Sequence, residues 1–382
     1  MRVFVSTADT SGDHHAAALV HALRARLRSR NEALEVFGLG GAELTAAGLE
    51  PIVKQSDLAV AGLVEVLASA PRLVSAYTAL RRALRARKPD LAVFVDSPDL
   101  NLPLAAVARR AGVRALYYVA PQVWAWRFGR VRKLRRRVDH VGVIFPFEEA
   151  LLRGAGVPAT FVGHPLVERM ARLRRSAKPE LLAAELGADP GRPLLGLLPG
   201  SRHNELERNL PMMLESAELL RRIVPEVQVS LLLAPAFEPR RLAVPEWIRT
   251  IQGRTHEAML LCTALLTAPG TVTVEAALLG VPLVVAHRVN PLSFEIIRRI
   301  SRVPSSCMVN LIAGRRIVPE LIQDECTAES VADEVLSLLR EPARVALMRA
   351  GLAEVRAKLG GPGASGRAAE AVLQVAHSSA AR

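Results

Sequence analysis

The fold of this chain is decided by the stretch Leu194-Leu-Gly-Leu-Leu-Pro-Gly-Ser201-Arg202-His203-Asn204-Glu205. Four of its first five residues are apolar, which predicts a short buried strand of a parallel sheet. Pro199 and Gly200 end that strand, and Ser201 is placed to cap a following helix. The N–H groups of such a turn favour an anion, and the guanidinium of Arg202 adds a bidentate ligand for phosphate. The stretch predicts a phosphate-binding turn; an ordinary strand–helix turn with a surface arginine fits the same residues.

Strand and helix patterns alternate on both sides of this stretch. Further strands are predicted at 2–6, 35–38, 91–95, 115–119, 141–145, 159–163, 227–233, 264–267 and 282–286. Repeated strand–helix units predict two doubly wound parallel sheets, and therefore an α/β protein of two Rossmann-like domains. The polar, basic segment 167–192 is predicted to link a first domain, 1–166, to a second, 193–382, with C-terminal helices that are free to cross back.

The size, charge and cysteine content of the chain limit the kinds of partner, cross-link and location that we expect for it. The chain has 382 residues and a formal net charge of +13, so anionic partners such as nucleotides, phosphorylated lipids or a membrane surface are expected. Nucleic acid is not expected, because zinc-finger and RNP-like patterns are absent. The three cysteines are far apart in sequence and predict neither disulfides nor a metal site. Without a signal-peptide pattern or a run of eighteen apolar residues, we expect a cytoplasmic location.

Several polar residues follow predicted strands of the first domain, where open α/β sheets bind ligands. Ser11 and Asp13 come after the first strand, and Asp96 and Asp99 follow the strand 91–95. A carboxylate held at such a place can act as a general base on a sugar hydroxyl, although loop aspartates more often bind backbone N–H groups. His164, at another strand end, is predicted either to contact substrate or to make a structural hydrogen bond.

A basic amphipathic helix is predicted after the strand 115–119. Seven of the positions from Arg127 to Arg137 are Arg or Lys, and Phe128, Val131, Leu134 and Val138 recur beneath them. Such a helix fits an anionic membrane surface, and a solvated helix face is the alternative. The apolar segment 58–67 is either core or an exposed lip for acyl chains.

A second glycine turn occurs in the later half of the chain. Gly270 and Thr271 follow a predicted strand and open a helix, so they repeat the geometry of a phosphate-binding turn. Glu275 is one residue too late for a capping box with Thr271, so its carboxylate is expected to project outward, where it can accept bonds from ribose hydroxyls. The loop from Asn310 to Arg315 has no mechanism that its spacing alone supplies.

These segments together resemble the lipid-A-disaccharide synthase family, glycosyltransferases of the two-Rossmann-domain (GT-B) architecture. The matching segments follow family order along the whole chain: Ser11-Gly-Asp13, Asp57 to Leu67, Asp96-Ser-Pro-Asp-Leu-Asn101, Tyr118 to Arg127, Phe145-Pro-Phe-Glu148, Gly163-His164, Leu198-Pro-Gly-Ser-Arg202, Gly270-Thr271 with Glu275, and Asn310-Leu-Ile-Ala-Gly-Arg315. Departures occur at four positions, where Asp9, Ala61, Pro269 and His287 stand for the family's Glu, Met, Ser and an aromatic residue. They bear on acyl-length preference and on contacts to UDP.

The resemblance implies two domains that face each other across a cleft, with the UDP-sugar in the second. It implies transfer of 2,3-diacylglucosamine from UDP to 2,3-diacylglucosamine 1-phosphate, which gives the lipid A disaccharide 1-phosphate and UDP without a metal or cofactor. Asp99 would be the base, with Asp96 the alternative, and Arg202 would stabilise the departing diphosphate. The other implied roles are phosphate donors at Ser201, Gly270 and Thr271, ribose binding at Glu275, donor-side lining at Asn310, and acceptor-side contacts at Ser11, Asp13, Trp126, Arg127 and His164.

The same resemblance implies a monomer or homodimer on the inner face of the inner membrane, held there by Arg132, Lys133 and Arg136. Two other readings fit part of the sequence. Another UDP-sugar enzyme of the same fold, such as a peptidoglycan-type glucosaminyltransferase or an epimerase, would keep the Arg202 and Glu275 turns. A catalytically silent membrane-associated protein would bind UDP or lipid without turnover.

Overall fold

Two parallel β-sheets organise the structure, a computed structural model that describes residues 1–58, 70–123, 129–290, 294–295, 299, 303 and 305–378. One sheet belongs to unit 1, which is made of Met1–Pro165 and Gly360–Arg382, and the other belongs to unit 2, Leu166–Leu359. The α/β class predicted from the sequence is confirmed in both units.

The sheet of unit 1 has the order β3-β2-β1-β4-β5-β6-β7, and every neighbouring pair is parallel. Its strands are β1 (Arg2–Ser6), β2 (Glu35–Gly40), β3 (Leu49–Lys54), β4 (Leu91–Val95), β5 (Arg114–Tyr118), β6 (His140–Val143) and β7 (Ala159–Phe161). The helices that cover it include α1 (Thr10–Arg28), α2 (Ala42–Ala46), α3 (Ala70–Arg87), α4 (Pro98–Arg110), α5 (Gly129–Arg137) and α6 (Pro146–Gly154).

An aromatic row fills the core of unit 1. Phe4, Phe37, Phe94 and Tyr117 lie on neighbouring strands, and each is fully buried. The ring centroids of Phe4 and Phe37 are 5.6 Å apart in an edge-on arrangement, a geometry that aromatic pairs prefer. Because these strands are buried on both faces, their sequences are continuously apolar rather than alternating.

The sheet of unit 2 has the order β10-β9-β8-β11-β12-β13, again with parallel neighbours. Its strands are β8 (Leu194–Leu198), β9 (Gln228–Leu233), β10 (Arg249–Gln252), β11 (Ala264–Thr267), β12 (Leu283–His287) and β13 (Glu320–Ile322). Its described helices are α7 (Leu166–Ser176), α8 (Pro179–Leu186), α9 (His203–Ile223), α10 (Thr255–Leu261), α11 (Thr271–Leu279), α12 (Met308–Ala313), α13 (Ala328–Arg340) and α14 (Pro342–Lys358).

The division of the chain differs from the expected one at the predicted linker. The segment 167–192, expected to be a linker, forms α7 and α8, which pack on α11 and α10 of unit 2. Leu166, Val167 and Met170 supply the buried face of α7. The polar composition of the segment belongs to the exposed face of a helix, which composition alone does not distinguish from a linker.

The end of the chain crosses back, as the sequence analysis allows, because α15 (Ala364–His377) belongs to unit 1. It packs on α1, and the guanidinium Nη1 of Arg26 lies 3.0 Å from Oε2 of Glu370. Arg114 on β5 donates hydrogen bonds of 2.8 Å to the carbonyl oxygens of Val375 and Ala376. The C-terminal residues therefore complete the first unit. None of the described helices is long and apolar enough to span a bilayer.

Candidate functional site

The topological switch point of unit 1 lies between β1 and β4, because the chain leaves β1 for β2 on one side and returns to β4 on the other. Ligands of open α/β sheets bind at such a point, outside the carboxyl ends of the strands. The loops after β1 and β4 meet there. The hydroxyl of Ser97 donates to Oδ2 of Asp9 at 2.7 Å and accepts the N–H of Ala8 at 3.1 Å. Asp9 also caps α1, since its Oδ1 accepts the N–H of Gly12 at 2.6 Å.

Asp96 and Ser97 form a strained turn after β4. Their φ angles are +46° and +44°, and residues with a side chain rarely adopt this left-handed conformation. The carbonyl oxygen of Asp96 accepts the hydroxyl of Tyr117 at 2.5 Å and the side-chain amide of Asn101 at 2.8 Å. Asn101 is fully buried and also donates to the carbonyl oxygens of Ser6 and Val95. These bonds hold the turn against its strain, and strain of this kind clusters at functional sites.

The two candidate bases of this loop have different surroundings. Burial raises the pKa of the Asp96 carboxyl to about 6, and the negative charge of Asp9 adds to the rise. Its Oδ1 accepts the N–H of Ser97 at 2.8 Å, and no described residue donates a hydrogen bond to its Oδ2. Asp99 lies in the first turn of α4 with a side chain that is 84% exposed, and its Oδ1 lies 2.5 Å from Nη2 of Arg130 on α5. A carboxylate with a pKa near neutrality is the better general base, so these surroundings favour Asp96.

Two residues expected to contact the acceptor are buried. Asp13 is 3% exposed, and its carboxylate accepts the N–H groups of Gly41 at 2.6 Å and Glu43 at 3.0 Å, so it caps α2. His164 is 1% exposed and packs 5.3 Å from the ring of Phe145. Burial lowers the pKa of His164 to about 3, with a smaller contribution from His15. Both side chains are thus buried, which agrees with the structural alternative for each, and their contacts with the acceptor stay a prediction.

The other residues of the expected acceptor side lie partly in the described regions. Ser11 is exposed at the start of α1, and its hydroxyl lies 3.4 Å from Nε2 of His15. Trp126 and Arg127, with Trp124 and Phe128, lie outside the described residues, and so does the apolar segment 58–67 apart from Leu58. Val131 and Leu134 are buried beneath α5, as the amphipathic pattern predicts. Arg132, Lys133 and Arg136 are exposed.

The switch point of unit 2 lies between β8 and β11, and both predicted phosphate turns are there. In the first turn an acidic side chain of the protein itself binds the N–H groups. Oε2 of Glu205 accepts the N–H of Ser201 at 2.9 Å and that of Arg202 at 3.3 Å, while Oε1 lies 2.9 Å from Nη1 of Arg202. Gly200 makes this approach possible, because its φ is +129° and a Cβ there would lie 2.5 Å from Cβ of Glu205. The N–H groups of Ser201 and Arg202 are therefore occupied by Glu205 in this structure, and phosphate binding by the turn stays a prediction.

Details of this turn correct the sequence-based expectation. The helix begins at His203 with Arg202 as its N-cap, so Ser201 does not cap it. Glu205, three residues after Arg202, supplies the capping interactions, which the capping-box signature does not reveal because an arginine stands at the N-cap. The side chain of Arg202 is 77% exposed, and an exposed ion pair of this kind holds it by only about 0–1 kcal/mol. Its guanidinium can therefore turn toward a ligand at little cost.

Asn209 is a supporting residue that the sequence did not reveal. It is fully buried on α9, and its amide donates to the carbonyl oxygen of Pro199 at 2.9 Å. Its Oδ1 accepts the N–H of Arg288 at 3.1 Å, just after β12. Asn209 therefore joins the phosphate turn to the end of another strand, a relation that only the folded chain creates.

The second glycine turn of unit 2 lies at the start of α11. It contains Gly270 and Thr271, and Glu275 follows in the second turn of the helix. Thr271 is exposed in the first turn of the helix, and Gly270 precedes it with a φ of +142°. Glu275 does not project alone into solvent: its side chain is 18% exposed, and its Oε2 lies 3.3 Å from Nε2 of His256 on α10. His256 is a further residue that sequence spacing did not identify.

Asn310, expected to line the donor side, has a structural role instead. It is 4% exposed, its Oδ1 accepts the N–H groups of Ile317 and Val318, and its amide donates to the carbonyl oxygen of Val318. The same loop is held by Glu320, whose Oε1 accepts the N–H groups of Ser306 and Cys307. Asn310 therefore shapes the loop after α12, and its polar atoms are occupied by the protein.

Comparison with known proteins assigns the chain to a family. A family model described as lipid-A-disaccharide synthetase matches residues 3–375. The chain belongs to the lipid-A-disaccharide synthase family. The lipid-A-disaccharide synthase of Geobacter metallireducens is 45% identical over 380 residues, which cover 98% of this chain and 97% of that protein. That of Acidobacterium capsulatum is 43% identical over 393 residues, which cover 98% and 95%. The chain is thus a glycosyltransferase of lipid A biosynthesis, as the resemblance implies.

Solved structures share the fold at low sequence identity. UDP-GlcNAc 2-epimerase from Neisseria meningitidis, solved with UDP-GlcNAc, has a TM-score of 0.67 and 12% identity, with 98% of this chain and 99% of that chain covered. The glycosyltransferase of kitacinnamycin has a TM-score of 0.61 and 16% identity, with 98% of each chain covered. At these identities the likeness shows the GT-B architecture alone, so the family assignment separates the chain from the epimerases.

Proposed function

We propose that this enzyme joins UDP-2,3-diacylglucosamine to 2,3-diacylglucosamine 1-phosphate, and that Asp96 and Arg202 carry the chemistry. The observation that supports the proposal is that the two switch points carry different chemical groups. Unit 1 has a carboxyl group of raised pKa at its switch point, whereas unit 2 has the glycine turn at the start of α11 and the exposed guanidinium of Arg202. The first suits activation of a hydroxyl, and the second suits a diphosphate.

In the proposed step, Asp96 removes the proton of the acceptor 6-hydroxyl as its oxygen attacks the anomeric carbon of the donor sugar. The bond between that carbon and the UDP oxygen breaks, and the configuration inverts to a β-1,6 linkage. UDP leaves with the electron pair of the broken bond, and Arg202 with the N–H groups of Gly270 and Thr271 stabilises its developing charge. The carboxylate of Glu275 binds the ribose hydroxyls.

The decisive experiment incubates the purified enzyme with both diacylated substrates and detects products by mass. We expect equimolar disaccharide 1-phosphate and UDP. UDP-GlcNAc without acyl chains, offered with the same acceptor, serves as the control donor and should give little product. Conversion of the donor to its 2-epimer, or binding of UDP without turnover, would contradict the proposal.

The raised pKa of Asp96 predicts the acid limb of the pH profile. Because a general base acts when deprotonated, kcat/KM should fall about tenfold per pH unit below the pKa of about 6. The measurement is kcat/KM at constant ionic strength from roughly pH 4.5 to 8, a range that includes the pKa of Asp96. The pH dependence of this ratio reports the pKa values of groups in the free enzyme. A limb near pH 4, the usual range of an exposed carboxylate, would point to another base.

A basic and partly apolar surface of unit 1 fits an anionic membrane. We define the basic face as three exposed cations of α5 (Arg132, Lys133 and Arg136) together with three of α3 (Arg81, Arg82 and Arg85). These helices belong to one layer, because α3 packs on α4 and α4 packs on α5. Leu73 and Val74, at the start of α3, are 39% and 65% exposed. Apolar side chains beside cations are the features with which interfacial helices bind anionic lipids.

Removing the cations of α5 should weaken membrane binding. Each cation near an anionic surface contributes about 1 kcal/mol, so the triple variant R132A/K133A/R136A should bind vesicles about 100-fold more weakly at low salt. The measurement is co-sedimentation with phosphatidylglycerol-containing vesicles between about 50 and 500 mM salt, where the difference should shrink as charges are screened.

The matched control for this experiment removes three exposed arginines from α7 of unit 2, as R169A/R172A/R175A. It changes the net charge equally but leaves the basic face intact, so we expect binding close to that of the unaltered enzyme. Equal losses in the two triple variants would show that net charge alone acts, and would reject a docking role for α5.

A further inference from the structure

His256 and Glu275 form a pair that the family resemblance does not assign. Nε2 of His256 lies 3.3 Å from Oε2 of Glu275, and the two side chains are 17% and 18% exposed. They come from different helices, α10 and α11, which pack on each other. In the described part of the chain, His256 is the only ion-pair partner that Glu275 has.

Neighbouring charges do not compete for this contact. Arg254, two residues before His256, lies 2.7 Å from Glu185 on α8 and 3.9 Å from Glu257. Arg254 is therefore held away from Glu275, and the imidazole of His256 is the charged or polar side chain within ion-pair distance of that carboxylate among the described residues. An imidazole Nε2–H, present in one neutral tautomer and in the cation, can donate to one carboxylate oxygen and leave the other for a ligand.

The pair lies beside the position that we propose for the ribose of the nucleotide. Glu275 lies in the second turn of α11, immediately after the glycine turn at the switch point of unit 2. A carboxylate one helical turn after the N-terminus can accept hydrogen bonds from the two neighbouring ribose hydroxyls of a nucleoside whose diphosphate is held at that N-terminus. A carboxylate with several rotamers loses conformational entropy when it makes such bonds, and a partner that fixes one rotamer beforehand removes that cost.

We propose that His256 is a positioning residue that fixes the carboxylate of Glu275 for the ribose hydroxyls of the nucleotide and so sets selectivity for a ribonucleotide. The inference rests on the proposed function, in which Glu275 binds the ribose. His256 acts through Glu275 and takes no part in the transfer of the sugar. Its effect should therefore appear in nucleotide binding and in KM for the donor, with kcat little changed.

The test compares the affinity of the full-length enzyme for UDP and for 2′-deoxy-UDP by calorimetry. A hydrogen bond to a charged group contributes about 1.5–3 kcal/mol, so the enzyme should prefer UDP by about 10-fold or more. H256F keeps a ring of similar size without the N–H donor, and we expect its preference to fall to about threefold or less. H256Q retains a donor of similar reach and should restore most of the preference, whereas E275Q should lose it.

Controls separate the possible outcomes. E257Q changes a neighbouring carboxylate on the same helix that faces Arg254, and it should keep the full preference. H256A is a second variant if H256F unfolds, with thermal unfolding as the check. Full UDP preference in folded H256F and H256A, together with its loss in E275Q, overturns the role of His256 and leaves the proposed function intact. An enzyme that binds no UDP overturns both. One that binds UDP and 2′-deoxy-UDP equally overturns the inference and the ribose role of Glu275, and leaves the sugar transfer to be judged by its products.

Discussion

Replacing Asp96 by asparagine should lower kcat by a factor of about 10²–10⁴, the usual contribution of a general base. The substitution keeps the size of the side chain and its hydrogen bond from the N–H of Ser97, but it removes the basic lone pair. KM for both substrates should change little, because the lost interaction belongs to the transition state. Steady-state kinetics with both diacylated substrates measure the effect.

The matched control is D99N, three residues later in the first turn of α4. Asp99 is exposed and paired with Arg130, so we expect a loss of less than about tenfold. D96N should be no less stable than the unaltered enzyme at pH 7. The folded state raises the pKa of Asp96 from 3.8 to about 6. The free energy of unfolding of the unaltered enzyme therefore falls as the pH rises through this range, whereas the asparagine variant has no such loss. Near-normal turnover in D96N with a large loss in D99N would make Asp99 the base.

Replacing Arg202 by alanine should lower kcat by a factor of about 10²–10³, in the range observed when one charge-stabilising donor is removed from a transition state. The guanidinium is 77% exposed and paired on the surface with Glu205, so its loss removes little folding stability. The effect should therefore be catalytic. Single-turnover rates and the thermal unfolding midpoint, measured on the same preparation, separate the two contributions.

Two further variants define the role of Arg202. R202K keeps the charge but loses the planar, bidentate donor, so it should recover only part of the lost rate. R222A removes an exposed arginine from the far end of the same helix, where it pairs with Glu218, and should behave like the unaltered enzyme. If R202A and R222A lose similar activity, or if R202A retains its rate, Arg202 does not stabilise the leaving group.

The architecture and the two glycine turns were predictable because their signals are local. Continuous apolar runs such as 91–95 and 194–198 predict buried parallel strands, and the residues that follow a strand lie at its carboxyl end whatever the rest of the chain does. The family resemblance then identified the activity. Residues at strand ends were therefore placed correctly at the switch points, including Asp96, Arg202 and Gly270.

The roles of individual polar side chains were less predictable, because each depends on partners that the fold supplies. Asp13 and Asn310 have the sequence context of site residues, yet their polar atoms bind backbone groups that lie 28 and 8 residues away in sequence. The preference for Asp96 over Asp99 depends on burial and on the charge of Asp9, 87 positions earlier by residue number. His256, too, meets Glu275 only in the folded protein.

The membership of α15 in unit 1 has a consequence for biosynthesis. Gly360–Arg382 completes a unit whose other residues end at Pro165, so the ribosome makes all of unit 2 before it makes the last part of unit 1. During translation, the nascent first sheet lacks the helix that packs on α1 and binds Arg114, and it therefore exposes apolar surface that the finished protein buries. Unit 2 is contiguous in sequence and can finish folding first, although it is synthesised later.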